Sequence, residues 1–144
     1  MSALSNGIRE VREGLGLSHS EFAKKISTTT LNVILWEYGI RKPRPVKILT
    51  MHEVTGLPIG RFLYGKDLYY TVATPLDLYK MGIRIFDRRV NCGISRPEFT
   101  GLIHKTETWL IDVERGETIL DDLTVMYMAY HLKVSASYLR YGVK

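Results

Sequence analysis

Gly16-Leu17-Ser18-His19-Ser20-Glu21-Phe22-Ala23 and Gly93-Ile94-Ser95-Arg96-Pro97-Glu98-Phe99-Thr100 lie 77 residues apart and carry one local pattern. In each, a glycine ends one helix and a serine starts the next. Ser18 is placed to accept from the amide of Glu21, while the Glu21 carboxylate reaches back to the amide of Ser18. Ser95 and Glu98 repeat this capping box, and Pro97 is accepted in a first helical turn because its missing N–H is no loss there. Phe22, Ala23 and Ile26 then follow at i, i+1 and i+4, one helix face turned to a core.

Outward from these stretches, the shift of 77 holds without a gap from residues 8–65 onto 85–142. Identical pairs include Ile8/Ile85, Arg12/Arg89, Phe22/Phe99, Ile26/Ile103, Thr29/Thr106, Glu37/Glu114, Gly39/Gly116, Met51/Met128 and Gly65/Gly142. Chance similarity does not hold register over such a span, and a repeat decides the architecture before any other feature. Thr29 is expected to cap a helix over 30–38, with Gly39 stopping it and Gly116 stopping its counterpart. Arg41-Lys42-Pro43-Arg44-Pro45 reads as a basic loop, and helices over 46–55 and 58–64 complete the first copy. The expectation is a mainly α protein, with modules at 1–66 and 81–144 and a connector at 67–80. Within that connector, Leu68-Tyr69-Tyr70-Thr71-Val72 is aromatic and β-branched, which suits either a short central strand or an extended linker packed between the modules.

The composition narrows the class. Of the 144 residues, 45% are hydrophobic and 24% charged, a globular balance rather than a disordered one. No run approaches the roughly 20 apolar residues a membrane helix needs, so no membrane association is expected. The start, Met1-Ser2-Ala3-Leu4-Ser5-Asn6, lacks the basic and apolar blocks of a signal peptide. The one cysteine excludes an internal disulfide or a cysteine-rich zinc site, which makes a cytoplasmic setting the expectation. Cys92 aligns with Leu15 and reads as a small core residue.

The series Arg12 … Leu17-Ser18-x-x-Glu21-Phe22-Ala23 … Ile26 … Trp36-Glu37-x-Gly39 … Pro43 resembles the phage repressor and Cro-like helix-turn-helix family, and the related xenobiotic-response-element group of bacterial regulators. The likeness covers residues 6–65 and, more weakly, 83–142, where the alanine after Phe99 and the proline after Gly116 are missing. The resemblance implies five short helices per copy, with the second and third forming the helix-turn-helix at 18–26 and 29–38, and again at 95–103 and 106–115. It also implies that Arg12 pairs with Glu37, and Arg89 with Glu114, as structural ion pairs that orient the recognition helix. Two tandem copies would form an internal pseudo-dimer, one chain mimicking the dimer that single-module members form on DNA.

The two copies differ in charge. Residues 1–66 hold ten Lys/Arg against five Asp/Glu, whereas 67–144 hold ten of each, so the whole +5 belongs to the first half. Phosphate neutralisation supplies most non-specific DNA affinity. Arg41, Lys42, Arg44 and Lys47 beside the first recognition helix, with Lys24 and Lys25 nearby, are the candidate phosphate contacts. By family position, His19, Thr29, Thr30, Leu31, Asn32 and Leu35 are the candidate DNA-facing residues of the first copy, Asn32 suited to adenine and the leucines to a thymine methyl. The second copy offers Arg96, Lys105, Thr106, Glu107, Thr108 and Asp112. Acidic groups facing phosphate cost energy, although they can accept from cytosine, so this copy either binds DNA with another footprint or has become a protein-contact domain.

Other chemistries find little support. His19, His52, His104, His131 and Cys92 have no metal-ligand spacing, and there is no P-loop or dinucleotide fingerprint, so neither cofactor, metal nor enzymatic activity is expected. The expected function is sequence-specific binding of double-stranded DNA, as a transcriptional regulator or repressor of a bacterial, phage or mobile element. An accessory role at a conjugative plasmid transfer origin uses the same binding chemistry. The contrasting reading is an adaptor or antitoxin, with one DNA-binding module and a protein partner on the C-terminal module.

Overall fold

In each unit serine, threonine or aspartate side chains start most helices, and glycines stop many of them, with Ser27, His104 and Lys133 in left-handed backbone ending others. A computed structural model describes residues 2–69 and 74–143. The chain divides into two compact units, Met1–Tyr70 and Thr71–Lys144. The first holds α1 (Ala3–Gly14), α2 (His19–Lys25), α3 (Thr30–Glu37), α4 (Pro45–Thr55) and α5 (Ile59–Tyr69). The second holds α6 (Pro75–Asn91), α7 (Arg96–Ile103), α8 (Glu107–Glu114), α9 (Asp122–Leu132) and α10 (Ala136–Tyr141). The described residues are mainly helical and contain no strand.

Both expected capping boxes form. Glu21 N donates to Ser18 Oγ at 3.1 Å and Ser18 N to Glu21 Oε1 at 3.0 Å. Glu98 N donates to Ser95 Oγ at 3.3 Å and Ser95 N to Glu98 Oε1 at 3.4 Å. Thr29 and Thr106 cap α3 and α8 from one side only, each side-chain oxygen accepting from the amide three residues on. Gly39 and Gly116 stop those helices with φ of 72° and 77°, a left-handed backbone that glycine adopts without a Cβ penalty.

The connector is shorter than expected. A third capping box, between Thr74 and Asp77, starts α6 at Pro75, so 75–80 belong to the second unit. At the other end α5 breaks at Gly65 (φ 74°, ψ 172°) and resumes, so Leu68 and Tyr69 are helical rather than extended. The rest of the candidate central strand, 70–72, lies outside the described residues.

The two cores share their central positions, although Val11 and Ile26, buried in the first unit, align with the half-buried Arg88 and Ile103. Ile8, Phe22, Val33, Met51 and Phe62 are fully buried in the first unit, and their aligned partners Ile85, Phe99, Leu110, Met128 and Leu139 are fully buried in the second. Burial of that kind is the main favourable term for each small unit. Cys92 departs from expectation: Leu15, with which it aligns, is exposed, and Cys92 itself is half-buried with Sγ 3.7 Å from the Leu132 carbonyl oxygen.

The first helix of each unit docks differently. α1 packs mainly on α5, and at Gly7 the approach is so close that a Cβ would overlap the Phe62 carbonyl oxygen. The aligned residue in α6 is Arg84, which donates from Nε to the Leu139 carbonyl (2.9 Å) and from Nη2 to the Arg140 carbonyl (3.0 Å). These are terminal carbonyls of α10, which no residue of the helix itself can satisfy. α6 also presses on the end of α8, where a Cβ on Gly82 would stand 2.6 Å from the Val113 oxygen.

Candidate nucleic-acid interface

α3 is held in place from behind by a buried carboxylate. Glu37 is 1% exposed and accepts from Arg12 Nε at 2.6 Å and from Arg12 Nη2 at 3.0 Å, a two-pronged ion pair. The third arm of that guanidinium, Nη1, donates to the Leu17 carbonyl at 2.9 Å, which ties α1, the turn before α2 and α3 together. The hydrogen bond to Glu37 raises the pKa of Arg12 and keeps it charged. Arg9 Nη2 adds a bond to the Glu37 carbonyl at 3.0 Å.

The second unit copies the lock. Arg89 Nε and Nη2 donate to Glu114 at 2.9 and 3.2 Å, and Nη1 donates to the Ile94 carbonyl at 2.9 Å. His19 and Arg96, aligned at the start of α2 and α7, both turn back to the same carboxylates. His19 Nε2 lies 3.3 Å from Glu37 Oε1, and Arg96 Nε donates to Glu114 Oε1 at 3.0 Å. Both had been expected to face DNA; the geometry gives each a partner inside its own unit.

The candidate DNA-facing residues of the first unit lie at the start of α3 and in the loop that follows its end. Thr29, Thr30 and Leu31 are exposed, Leu31 at 62%, while Asn32 and Leu35 are half-buried. Thr29 Oγ1 accepts from the Asn32 amide at 3.1 Å, and Asn32 Nδ2 donates to Thr28 Oγ1 at 3.0 Å, so part of the polar capacity there is spent on local capping. Arg41, Lys42 and Arg44 are exposed, and their side chains form no hydrogen bond or ion pair among the described residues. Lys24 and Lys25 are exposed at the end of α2.

Lys47 does not join this group. Its Nζ donates to the Ile26 carbonyl at 3.2 Å and to the Ser27 carbonyl at 2.7 Å, closing the end of α2. A cation at a helix C-terminus is favoured by the helix dipole and by the unpaired carbonyls, which is why Lys47 turns inward.

The second unit has a different outer surface on the same frame. Thr106, Glu107 and Thr108 are exposed and Asp112 is half-buried. Thr106 Oγ1 accepts from the Trp109 amide at 3.2 Å, and Lys105 Nζ stands 5.2 Å from the centre of the half-buried Trp109 ring. Where the first unit has Arg41, Lys42 and Arg44, the second has Thr118, Ile119 and Asp121. Asp121 caps α9, accepting from Thr124 N at 2.8 Å, and its carboxyl is held below the usual range chiefly by the Thr124 hydroxyl, with the Thr124 amide and Lys105 adding smaller shares. Asp122 pairs with Arg140 Nη1 at 3.0 Å. These acids therefore start and brace α9.

Two residues had no signal in the sequence. Arg84 donates to the end of α10, and Arg88 Nε donates to the last carbonyl of α9, at Leu132, at 2.8 Å. Only the packing of α6 against α9 and α10 shows that they serve as caps for other helices. Among the described residues no three His, Cys, Asp or Glu side chains gather as a metal site, and no helix is long and apolar enough to cross a membrane. No family model matches the chain, and no curated protein matches its sequence.

Proposed function

We propose that the chain binds double-stranded DNA through two helix-turn-helix modules, with α2–α3 as the principal DNA-contacting pair. One observation carries the reading. Arg41, Lys42 and Arg44 form an exposed basic loop without internal partners, directly behind a helix whose first turn, Thr29 to Leu31, is also exposed. Lys24 and Lys25 are exposed at the end of α2, the helix before it. Exposed cations at the end of the preceding helix and in the loop after α3 suit phosphate contacts flanking a groove-inserted helix. The buried Arg12–Glu37 lock fixes the tilt of that helix, which base readout requires. In this reading the two modules form a pseudo-dimer on unlike half-sites about one helical turn apart. Repression or regulation of transcription in a bacterial, phage or mobile element, or marking of a plasmid transfer origin, would follow from that binding in a cytoplasmic setting.

The second unit favours an alternative for itself. Its loop is apolar and acidic, with Ile119 82% exposed, which suits a protein partner better than phosphate. An adaptor or antitoxin would then grip DNA by the first module alone.

Selection of random duplexes on the protein, followed by salt titration of the enriched sequence, tests both readings. Arg44→Ala is expected to weaken binding across sequences and to flatten the salt slope by about one unit. Lys105→Ala is expected to do the same if both modules hold DNA, and to change nothing in the adaptor reading. An Arg44→Ala protein with unchanged affinity and slope would remove the first unit's phosphate surface from the account.

A further inference from the structure

α6 carries a feature that its counterpart in the first unit lacks. Its inner face presents Met81, Gly82, Ile85 and Arg89, all buried. On another face Leu76, Tyr79, Ile83, Phe86 and Val90 are all exposed, from 39% to 58%. Their spacing, three then four and three then four again, is the alternation of apolar residues on the seam of a two-stranded coiled coil. In α1 and its cap the aligned residues are Ser2, Asn6, Arg9 and Glu13. The shared fold therefore forms without an apolar stripe at these positions. Single exposed apolar residues are ordinary, but five in register along one 17-residue helix are a contact surface without its contact.

Charge says what covers it. Lys80 and Asp87 flank the stripe on one side, seven residues apart, both exposed and neither hydrogen-bonded nor in a contact ion pair among the described residues. The other flank, Gly82 and Arg89, is turned into the unit's own core. Only the Lys80–Asp87 flank is open to a neighbouring helix. Two such helices side by side in antiparallel order set Lys80 of each beside Asp87 of the other. Parallel order would instead bring that flank against the closed side, where no complementary charge is free.

We propose that a second copy of this chain covers the stripe, α6 against α6 in antiparallel order, so that the protein is a homodimer through its second unit. The proposal is independent of DNA binding. A helix of this length is about 26 Å long. One such pair buries less than the roughly 800 Å² per partner of a standard stable interface, so the dimer is weak and concentration-dependent.

Sedimentation of the full chain from about 1 µM to about 100 µM, the range in which small interfaces dissociate, reads the association directly. The expected result is a rise from monomer to dimer mass, abolished by Ile83→Glu with an unchanged far-ultraviolet circular dichroism spectrum. Lys80→Asp and Asp87→Lys, both at exposed positions, are each expected to weaken the dimer by about tenfold, because each reversal replaces two attractive contacts by repulsive ones. Combining them restores the attraction and returns the dissociation constant to within about threefold of the parent. Should Ile83→Glu unfold the unit, the reversal pair carries the test alone. A monomer at every concentration overturns the proposal and leaves the stripe to another partner. A dimer indifferent to Ile83→Glu, or single reversals that the double variant fails to rescue, overturns it as well.

Discussion

Glu37 and Glu114 are the residues on which each unit turns. Each is a nearly buried carboxylate that accepts from a guanidinium of the first helix and from the first residue of the second, and each closes the unit's third helix. Such a pair is weak evidence of net stabilisation, since desolvation offsets much of the attraction, but removing one partner strands the other. Arg12→Met is therefore expected to lower unfolding free energy by about 3 kcal/mol or more, measured by urea titration. The aligned Arg89→Met should cost about as much, because each carboxylate keeps one other guanidinium: Arg96 at Glu114, and Arg9 at Glu37, whose Nε lies 3.5 Å from Glu37 Oε1. A much larger loss in one variant would show that Arg9 and Arg96 do not support their carboxylates equally. The locks are what the helix-turn-helix resemblance implies, and the recurrence of arginine and glutamate at both aligned positions agrees with it. The inward turn of His19, Arg96 and Lys47 was not readable from sequence, since a cation near a helix end has the same letter whether it meets phosphate or a carbonyl.

At the scale of elements, helix starts and stops were written locally, in boxes of four residues and in glycines, and the structure keeps almost all of them. What was not readable is how helices approach one another, because that depends on residues distant in sequence. Gly7 looks like a helix-weakening residue until the Phe62 carbonyl is seen against it. Gly7→Ala, favourable by helix propensity alone, is expected instead to destabilise the first unit by about 1–3 kcal/mol, as overpacking does, with the α1–α5 contact forced apart. A rise in melting temperature for that variant would place the close approach in error. The start of α6 was missed for a related reason: Thr74-Pro75-Leu76-Asp77 is a capping box sitting in a stretch whose neighbours have strand character.

The molecule as a whole is two units with separate cores on one sequence frame. Leu110→Ala is expected to destabilise the second unit by about 2–5 kcal/mol, the range for large-to-small changes in a core, and to leave the first at its own midpoint. Trp36 is buried in the first unit and Trp109 half-buried in the second, so fluorescence of Trp109→Phe and Trp36→Phe proteins follows each unit separately. A single shared transition in both would mean that the units fold as one. Tandem copies also face a hazard that single modules do not: during folding, the first helix of one copy can dock on the last helix of the other. The unlike residues at the aligned positions oppose this exchange. Arg84 entering the place of Gly7 would drive a guanidinium stem into the Phe62 carbonyl, where even a Cβ has no room. Gly7 entering the place of Arg84 would leave the Leu139 and Arg140 carbonyls without the donor they have now. One substitution between the copies thus sorts each leading helix to its own partner, and guards the chain against swapped assembly with itself.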